Sequence, residues 1–538
     1  MTMANGNNLE KKTRNRILFI VLACVLFVGM AHTSYAASSK TIQDVTFRCA
    51  IKSDITTLDP NRAGRGATGF VLFYLCQGLG HPSGLNWRPL PCLADSWEML
   101  NPTAWKFNLH KGITFHNGEP LTSADVQFSY YRQMGKLNRR YPGAAKAEFR
   151  RMIDRIETPD DYTVIIHTKK PEVSMLSYVL SGSVYIAPKD YVEAVGDRAF
   201  GKKPVGTGPF KFKERKPSEY IAFEANEKYW NTNPIPGSLK PPEIRHVQYR
   251  IIPKNQTAVA ALLAGEVDGI QGLPSDIVDD LEKRPGINIF YTEQNMPSLI
   301  MMNWLKSKDE KTGEPNPFYD VRVRRAMNYA LDLDTIIKSY GTGRERRTTL
   351  VGRGSIGYNP DISFYKYDPE KAKKLLSKAG YPNGFKTQMS VLSDRPPYVD
   401  AMTQYWRDIG VQVDYRITTL PVVIREMYRK NLQGMVVWVG GRGHDTTAGF
   451  NKIYLRGKGT FALHPPDERV EALIDKQQVE FDDKKRARLI HEVTKILWED
   501  AWFIPLIEGV VIKALRDEWE YDHHPSINSF YITHIRKK

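Results

Sequence analysis

Past residue 40 the chain alternates between two apolar rhythms, and it does so to its last element. Trp105, Phe107 and Leu109 recur at every second residue, the period of a strand with one buried face. The turn dipeptide Asn117-Gly118 follows. Thr122-Ser123-Ala124-Asp125 then has the form of a capping box opening a helix that runs through Tyr131. Val323, Ala326, Met327, Ala330, Ile337 and Tyr340 recur at helical spacing behind Asp320, the expected cap. Asp368-Pro369-Glu370 opens another helix, with Leu375, Leu376 and Ala379 as its apolar face and Gly380 at its end. Gly410-Val411-Gln412-Val413 feeds the next strand. Elements mixed in this order pack helices on sheets, so the expected fold class is α/β.

At 538 residues the chain is long enough for two or three domains. Pro/Gly-rich punctuation at 201–209, 232–242 and 314–317 marks candidate seams. The N-terminus reads as an export signal: Lys11, Lys12, Arg14 and Arg16 precede an apolar run from Ile17 to Met30, and small residues surround Ser34-Tyr35-Ala36-Ala37. The run falls short of the ~20 residues of a spanning helix. A signal peptide over 1–36 is therefore expected, cleaved after Ala36 or Ala37, with the mature chain in the periplasm. An oxidising compartment allows one disulfide among Cys49, Cys76 and Cys92, and spacing does not say which pair. The net charge of +16 is spread among acidic residues rather than gathered in a basic block. That reads as a solvated surface and not as a nucleic-acid site.

Hydrolytic and cofactor motifs are missing. Gly354-Ser355-Ile356-Gly357 lacks the spacing of a nucleophile elbow, and His491-Glu492-Val493-Thr494-Lys495 ends in Lys where a second zinc ligand would stand. Gly206-Thr207-Gly208-Pro209 lacks the third glycine of a dinucleotide loop. His523-His524 beside Asp522 reads as an exposed tail segment. No cofactor and no metal are expected.

Eight stretches in order now become informative: TTLDP (56–60), LADSWE (93–98), FHNGEPLTSADVQFSY (115–130), GTGPF (206–210), GEVDGI (265–270), PFYDVRVRRAMNYALD (317–332), YDPEKAKKLLSKAGYPNGF (367–385) and IGVQV (409–413). Together they resemble the extracellular solute-binding proteins of the dipeptide/oligopeptide/nickel type (family 5), which serve ATP-binding-cassette importers. The resemblance implies a two-lobed periplasmic-binding-protein-like fold, type II, with an extra subdomain and two crossing segments. Its expected boundaries are a first lobe from 41–88, 206–294 and 507–538, the extra subdomain at 89–205, and a second lobe at 295–506. It implies a monomeric, non-enzymatic protein whose partners are a small-molecule or peptide-like ligand and membrane permease subunits. The competing reading from the sequence is an extracytoplasmic hydrolase or carbohydrate-active enzyme.

The resemblance also selects site residues. In peptide-binding members an Asp soon after Trp-x-Gly holds the peptide ammonium. Here Trp438-Val439-Gly440 matches, and Gly441 stands at the Asp position. Arg442, His444 and Asp445 follow in the same stretch, so either Asp445 substitutes for the missing acid or the ligand has no free α-amine. Arg395, in Arg395-Pro396-Pro397-Tyr398, is the expected carboxylate clamp, since a guanidinium binds a carboxylate in bidentate fashion. Arg62 and Arg65 follow Leu58-Asp59-Pro60 and are expected to border the cleft. Trp438 reads as a platform for ligand or backbone. A metal at His444 and Asp445 would have too few ligands.

Overall fold

Three sheets take up most of the strands, and each is fed by its own part of the chain. The computed structural model describes residues 41–538 apart from 56, 63–66, 82–88, 138–146, 181–183, 233, 294–297, 309–312, 342, 393–397, 440–444, 446–460 and 524–528. Met1–Ile42 and Gln43–Lys538 are separate units, and all three sheets lie in the second.

A seven-stranded sheet has the order Ile287–Glu293, Val510–Arg516, Gly269–Leu273, Gln43–Ile51, Ile244–Ile251, Tyr220–Ala225, Phe210–Lys216. Its centre is parallel: Gln43–Ile51 pairs in parallel with both Ile244–Ile251 and Gly269–Leu273. Helices Asn255–Leu263 and Ser275–Glu282 cover it through Leu262, Val278 and Leu281, packed against Ile270, Ile512 and Ala514. An antiparallel four-stranded sheet holds Ala94–Asn101, Ala104–Leu109, Thr163–Thr168 and Ile153–Asp160. The strand read from Trp105, Phe107 and Leu109 lies in it, with Phe107 and Leu109 buried. Helix Ser123–Met134 packs on this sheet through Val126 and Tyr130. It is opened by the Thr122/Asp125 capping box, and the helix runs one turn beyond Tyr131 to a left-handed Gly135.

The third sheet, Gln412–Thr418, Lys386–Leu392, Met435–Val439, Ser298–Met302 and Phe503–Pro505, is covered on both faces. On one face Val323, Met327, Met402 and Trp406 pack against Ile300, Met389 and Val437. The buried Trp406 satisfies its indole N–H on the Met327 carbonyl at 3.0 Å. On the other face Val423, Val470, Ile474, Val493 and Leu497 pack against Leu299, Val436 and Trp438. Burial on both sides accounts for the continuous apolar runs of the inner strands Ser298–Met302 and Met435–Val439. The stretches YPNGF and IGVQV meet at a pair of glycines: Gly384 and Gly410 both have positive φ, and a Cβ on Gly384 would lie 1.8 Å from the Gly410 carbonyl oxygen.

The helical pattern from Val323 to Tyr340 is two helices, not one. Val321–Tyr329 starts at the Asp320 cap, and Leu333–Tyr340 starts at a second cap, Asp332, whose carboxylate accepts the Thr335 N–H. The break between them resets the phase, so Ile336 is buried in place of Ile337, and Tyr340 is exposed. Cys49, Cys76 and Cys92 are all free thiols inside the fold, so the permitted disulfide is not formed. Each is held in the interior, with the Cys92 sulfur accepting a hydrogen bond from Gln77 Nε2 at 3.3 Å. Burial pushes all three thiols up, Cys92 to about 12, which leaves them protonated and unreactive.

Candidate functional site

The chain leaves the seven-stranded sheet at Glu293, enters the five-stranded sheet at Ser298, and returns between Pro505 and Val510. Arg346, from a short strand paired with Ile507–Glu508, ties the two crossings together. Its Nε donates to Glu508 at 2.8 Å, and its terminal nitrogens bind Glu293 at 3.1 and 3.2 Å. Burial raises the Glu508 carboxyl above its ordinary range, while Arg346 holds Glu293 below it. Arg344 lies over the ring of Tyr291, on the strand that leads into the first crossing, at 4.2 Å. These contacts tie the two connections between the larger sheets to each other and to the second-lobe strand Arg346–Arg347.

The mouth segment begins at strand Met435–Val439, paired antiparallel with Ser298–Met302 so that Trp438 faces Leu299. Alternation places Met435 and Val437 in one core layer, and Val436 and Trp438 in the other. Trp438 is 9% exposed, and its ring is 6.0 Å from that of Phe461. It is packed by the core of this sheet. Gly441, Arg442 and His444 lie outside the described residues, as do Arg395 and Arg65.

Asp445 is described, and its surroundings bear directly on the ammonium question. It is buried, and Arg486 Nη2 donates to its Oδ1 at 2.5 Å. Ser177 Oγ donates to Oδ2 at 3.4 Å. Arg486 is equally buried, with its Nε on Gln477 Oε1 at 3.2 Å. A carboxylate already neutralised by a buried guanidinium gives little to an incoming ammonium. Arg486 was not among the residues singled out from sequence, and the sequence did hold a cue. Arg486, Ile490, Val493 and Leu497 are buried along helix Asp483–Glu499 at helical spacing, so Arg486 interrupts an apolar stripe.

Arg62 is exposed, and its backbone N–H donates to the Asp59 carbonyl at 3.0 Å. Asp59 is fully buried and binds Arg132 in bidentate fashion at 2.8 and 2.5 Å, while Arg132 also reaches Asp197 at 2.7 Å. The acid of the Leu58-Asp59-Pro60 turn thus anchors the four-stranded unit to the end of the Gln43–Ile51 strand region. His116 joins two more of the recurrent stretches. Its Nδ1 accepts the Gly206 N–H at 3.3 Å, which leaves Nε2–H to donate to the Gly208 carbonyl at 2.9 Å. No group of three or more His, Cys, Asp or Glu side chains suited to a metal occurs among the described residues.

A family model described as bacterial extracellular solute-binding proteins, family 5 Middle, matches residues 88–461. The chain belongs to that family. This solute-binding protein is 28% identical over 468 residues to heme-binding protein A of Haemophilus influenzae, covering 78% of this chain and 79% of the relative. It is 26% identical to the dipeptide-binding protein of Escherichia coli, covering 80% and 82%. Among solved structures it superimposes with a TM-score of 0.79 on an ABC transporter-associated periplasmic binding protein from Helicobacter pylori in complex with the peptide STSA. That match is at 25% identity and covers 92% of this chain and 98% of the other. The fold is that of a type II periplasmic binding protein: two α/β lobes joined by two crossings, with an extra subdomain.

Proposed function

We propose that this solute-binding protein is the capture component of an ATP-binding-cassette importer, and that its solute is a small peptide-like or other anionic molecule without a free α-amine. The solute lies between the lobes, the lobes close on it, and a permease in the membrane receives it unchanged. The observation that carries the choice of solute is the Asp445–Arg486 pair. Gly441 removes the acid that peptide binders use, and Asp445 is already neutralised by Arg486. A charge-assisted hydrogen bond contributes about 1.5–3 kcal/mol, so its absence costs a free peptide at least about tenfold in affinity.

Sheet membership supports the lobe boundaries of 41–88, 206–294 and 507–538 for the first lobe, 89–205 for the subdomain and 295–506 for the second lobe. The family's extracellular setting supports a cleaved signal peptide over 1–36. The names of the relatives, which are binding proteins, support capture over turnover. The chain acts as a monomer and takes no nucleic acid.

Thermal-shift screening of unfolded and refolded, ligand-free protein tests the choice of solute. A ligand at about 100 times its Kd adds about 2.7 kcal/mol of stability. N-acetylated dipeptides and other amine-free acids are expected to raise Tm more than the same dipeptides with free N-termini. A larger shift from free dipeptides would refute the reading.

A further inference from the structure

Asp445 does more than neutralise Arg486: it stands in a buried polar seam between the extra subdomain and the second lobe. From the subdomain side come Glu172, Val173, Ser174 and Ser177. From the second lobe come Asp445, Gln478 and Arg486. Glu172, Ser174, Gln478, Asp445 and Arg486 are all buried. Glu172 accepts from Ser174 Oγ at 2.6 Å, which fixes the turn that begins helix Ser174–Leu180. The Val173 N–H donates to the Gln478 carbonyl at 2.9 Å. Gln478 ends helix Glu468–Gln478, so its carbonyl is one that the helix itself leaves unpaired. The subdomain supplies a donor to it through Val173. Beside this bond, Ser177 Oγ reaches the carboxylate that Arg486 holds.

We propose that this seam is a closure latch. It forms when the lobes shut and parts when they open. Asp445 is a positioning residue that ties the end of the mouth segment to the latch through Arg486. The polar character of the seam fits a contact that must come apart, because every group in it is readily rehydrated. An apolar seam would hold the lobes shut without a solute. The inference rests on the two-lobed fold and does not depend on which solute is bound.

Disulfide trapping tests it without a ligand. The double variant Val173→Cys/Gln478→Cys places thiols on the two residues joined by the 2.9 Å backbone hydrogen bond. Even a minor closed population is captured over time under a mild oxidant. The crosslink is expected to form, read as a gel shift and as loss of two titratable thiols while Cys49, Cys76 and Cys92 stay reduced. Adding Ser177→Tyr wedges the seam and is expected to slow crosslinking about tenfold or more. Ser177→Ala removes only a hydrogen bond and is expected to slow it about threefold. Both variants should keep the ligand-free Tm. If no crosslink forms, or if both Ser177 variants crosslink at the parent rate, the latch is refuted.

Discussion

At the scale of single residues, the Asp445–Arg486 pair makes the sharpest statement about stability. Removing one partner of a buried pair leaves an uncompensated charge, whereas removing both leaves none. Arg486→Met is therefore expected to lower the urea-derived unfolding free energy by about 3 kcal/mol. Asp445→Leu/Arg486→Met should recover most of that loss. A double variant no better than the single one would show that the pair does not act as a unit. His116 makes a second prediction. Burial pulls its imidazole down from 6.5 to about 4, with the Lys211 charge adding to the effect and the bond to Gly208 opposing it. The unfolded chain therefore binds the proton more tightly. The stability that neutral His116 contributes is fully present above pH 6.5 and is lost as the pH falls toward 4. The loss reaches about 3 kcal/mol, because each tenfold difference in proton affinity between the folded and unfolded chain is worth about 1.36 kcal/mol. Urea unfolding between pH 7 and pH 4 should show this slope in the wild type and a shallower one in His116→Gln. Parallel slopes would contradict it.

Residue identities were legible in the sequence where local chemistry suffices, and not where partners are far apart. Thr122, Asp320 and Asp368 cap helices where the sequence placed caps, because a cap is satisfied within three residues of itself. The cap at Asp332 was missed because Ala330 to Ile337 keeps an apolar spacing across the break. The role of Arg486 was hidden because its partner lies 41 positions away. The mouth was only partly legible: the motif located the segment, but the strand pattern that fits a ligand platform at Trp438 also fits a core position, and the residue packs among Leu299, Val436 and Phe461.

At the scale of elements, the second-lobe helices are set by short-range signals and then fixed by the layer each one covers. Helix Pro369–Lys378 starts with the Asp368 carboxylate accepting the Lys371 N–H at 2.8 Å, and Ala372 and Leu376 seat it in the core. Asp368→Ala is expected to cost about 1 kcal/mol of stability and to leave solute affinity unchanged, since this helix packs on the face of the sheet away from the Trp438 layer. Chemical denaturation with a binding titration reads both quantities. A loss of affinity without a loss of stability would contradict the separation of layers. The alternation of apolar rhythms gave the fold class because each period reports which face of an element is covered. It did not give the sheet orders, which depend on pairings such as Gln43–Ile51 with Ile244–Ile251, separated by about 200 residues.

At the scale of the whole molecule, two of the contacts between the lobes among the described residues differ in character. Near the crossings, Arg346 bridges Glu293 and Glu508. Elsewhere, the seam around Val173, Ser177 and Asp445 joins the subdomain to the second lobe. A hinge that stays joined and a seam that can part are what a closing cleft requires. A solute shifts such an equilibrium only through contacts it makes in the closed form. Arg346→Ala is accordingly expected to loosen the hinge, broaden the ensemble of lobe angles and weaken solute binding, and also to lower the ligand-free Tm, because it leaves the buried Glu508 carboxylate without its cation. Single-molecule energy transfer between labels on the two lobes reads that broadening, and an unchanged distribution would contradict the bracing role of Arg346.

Small-angle scattering on the ligand-free protein, before and after adding the amine-free acid that raises Tm most, tests capture by closure most directly, with the solute recovered and identified afterwards. The account predicts that the radius of gyration falls toward the roughly 23 Å of a compact chain of about 500 residues, the expected mature length, and that the solute is recovered unchanged. A radius that does not move on saturation, or a solute recovered as a reaction product, would contradict it.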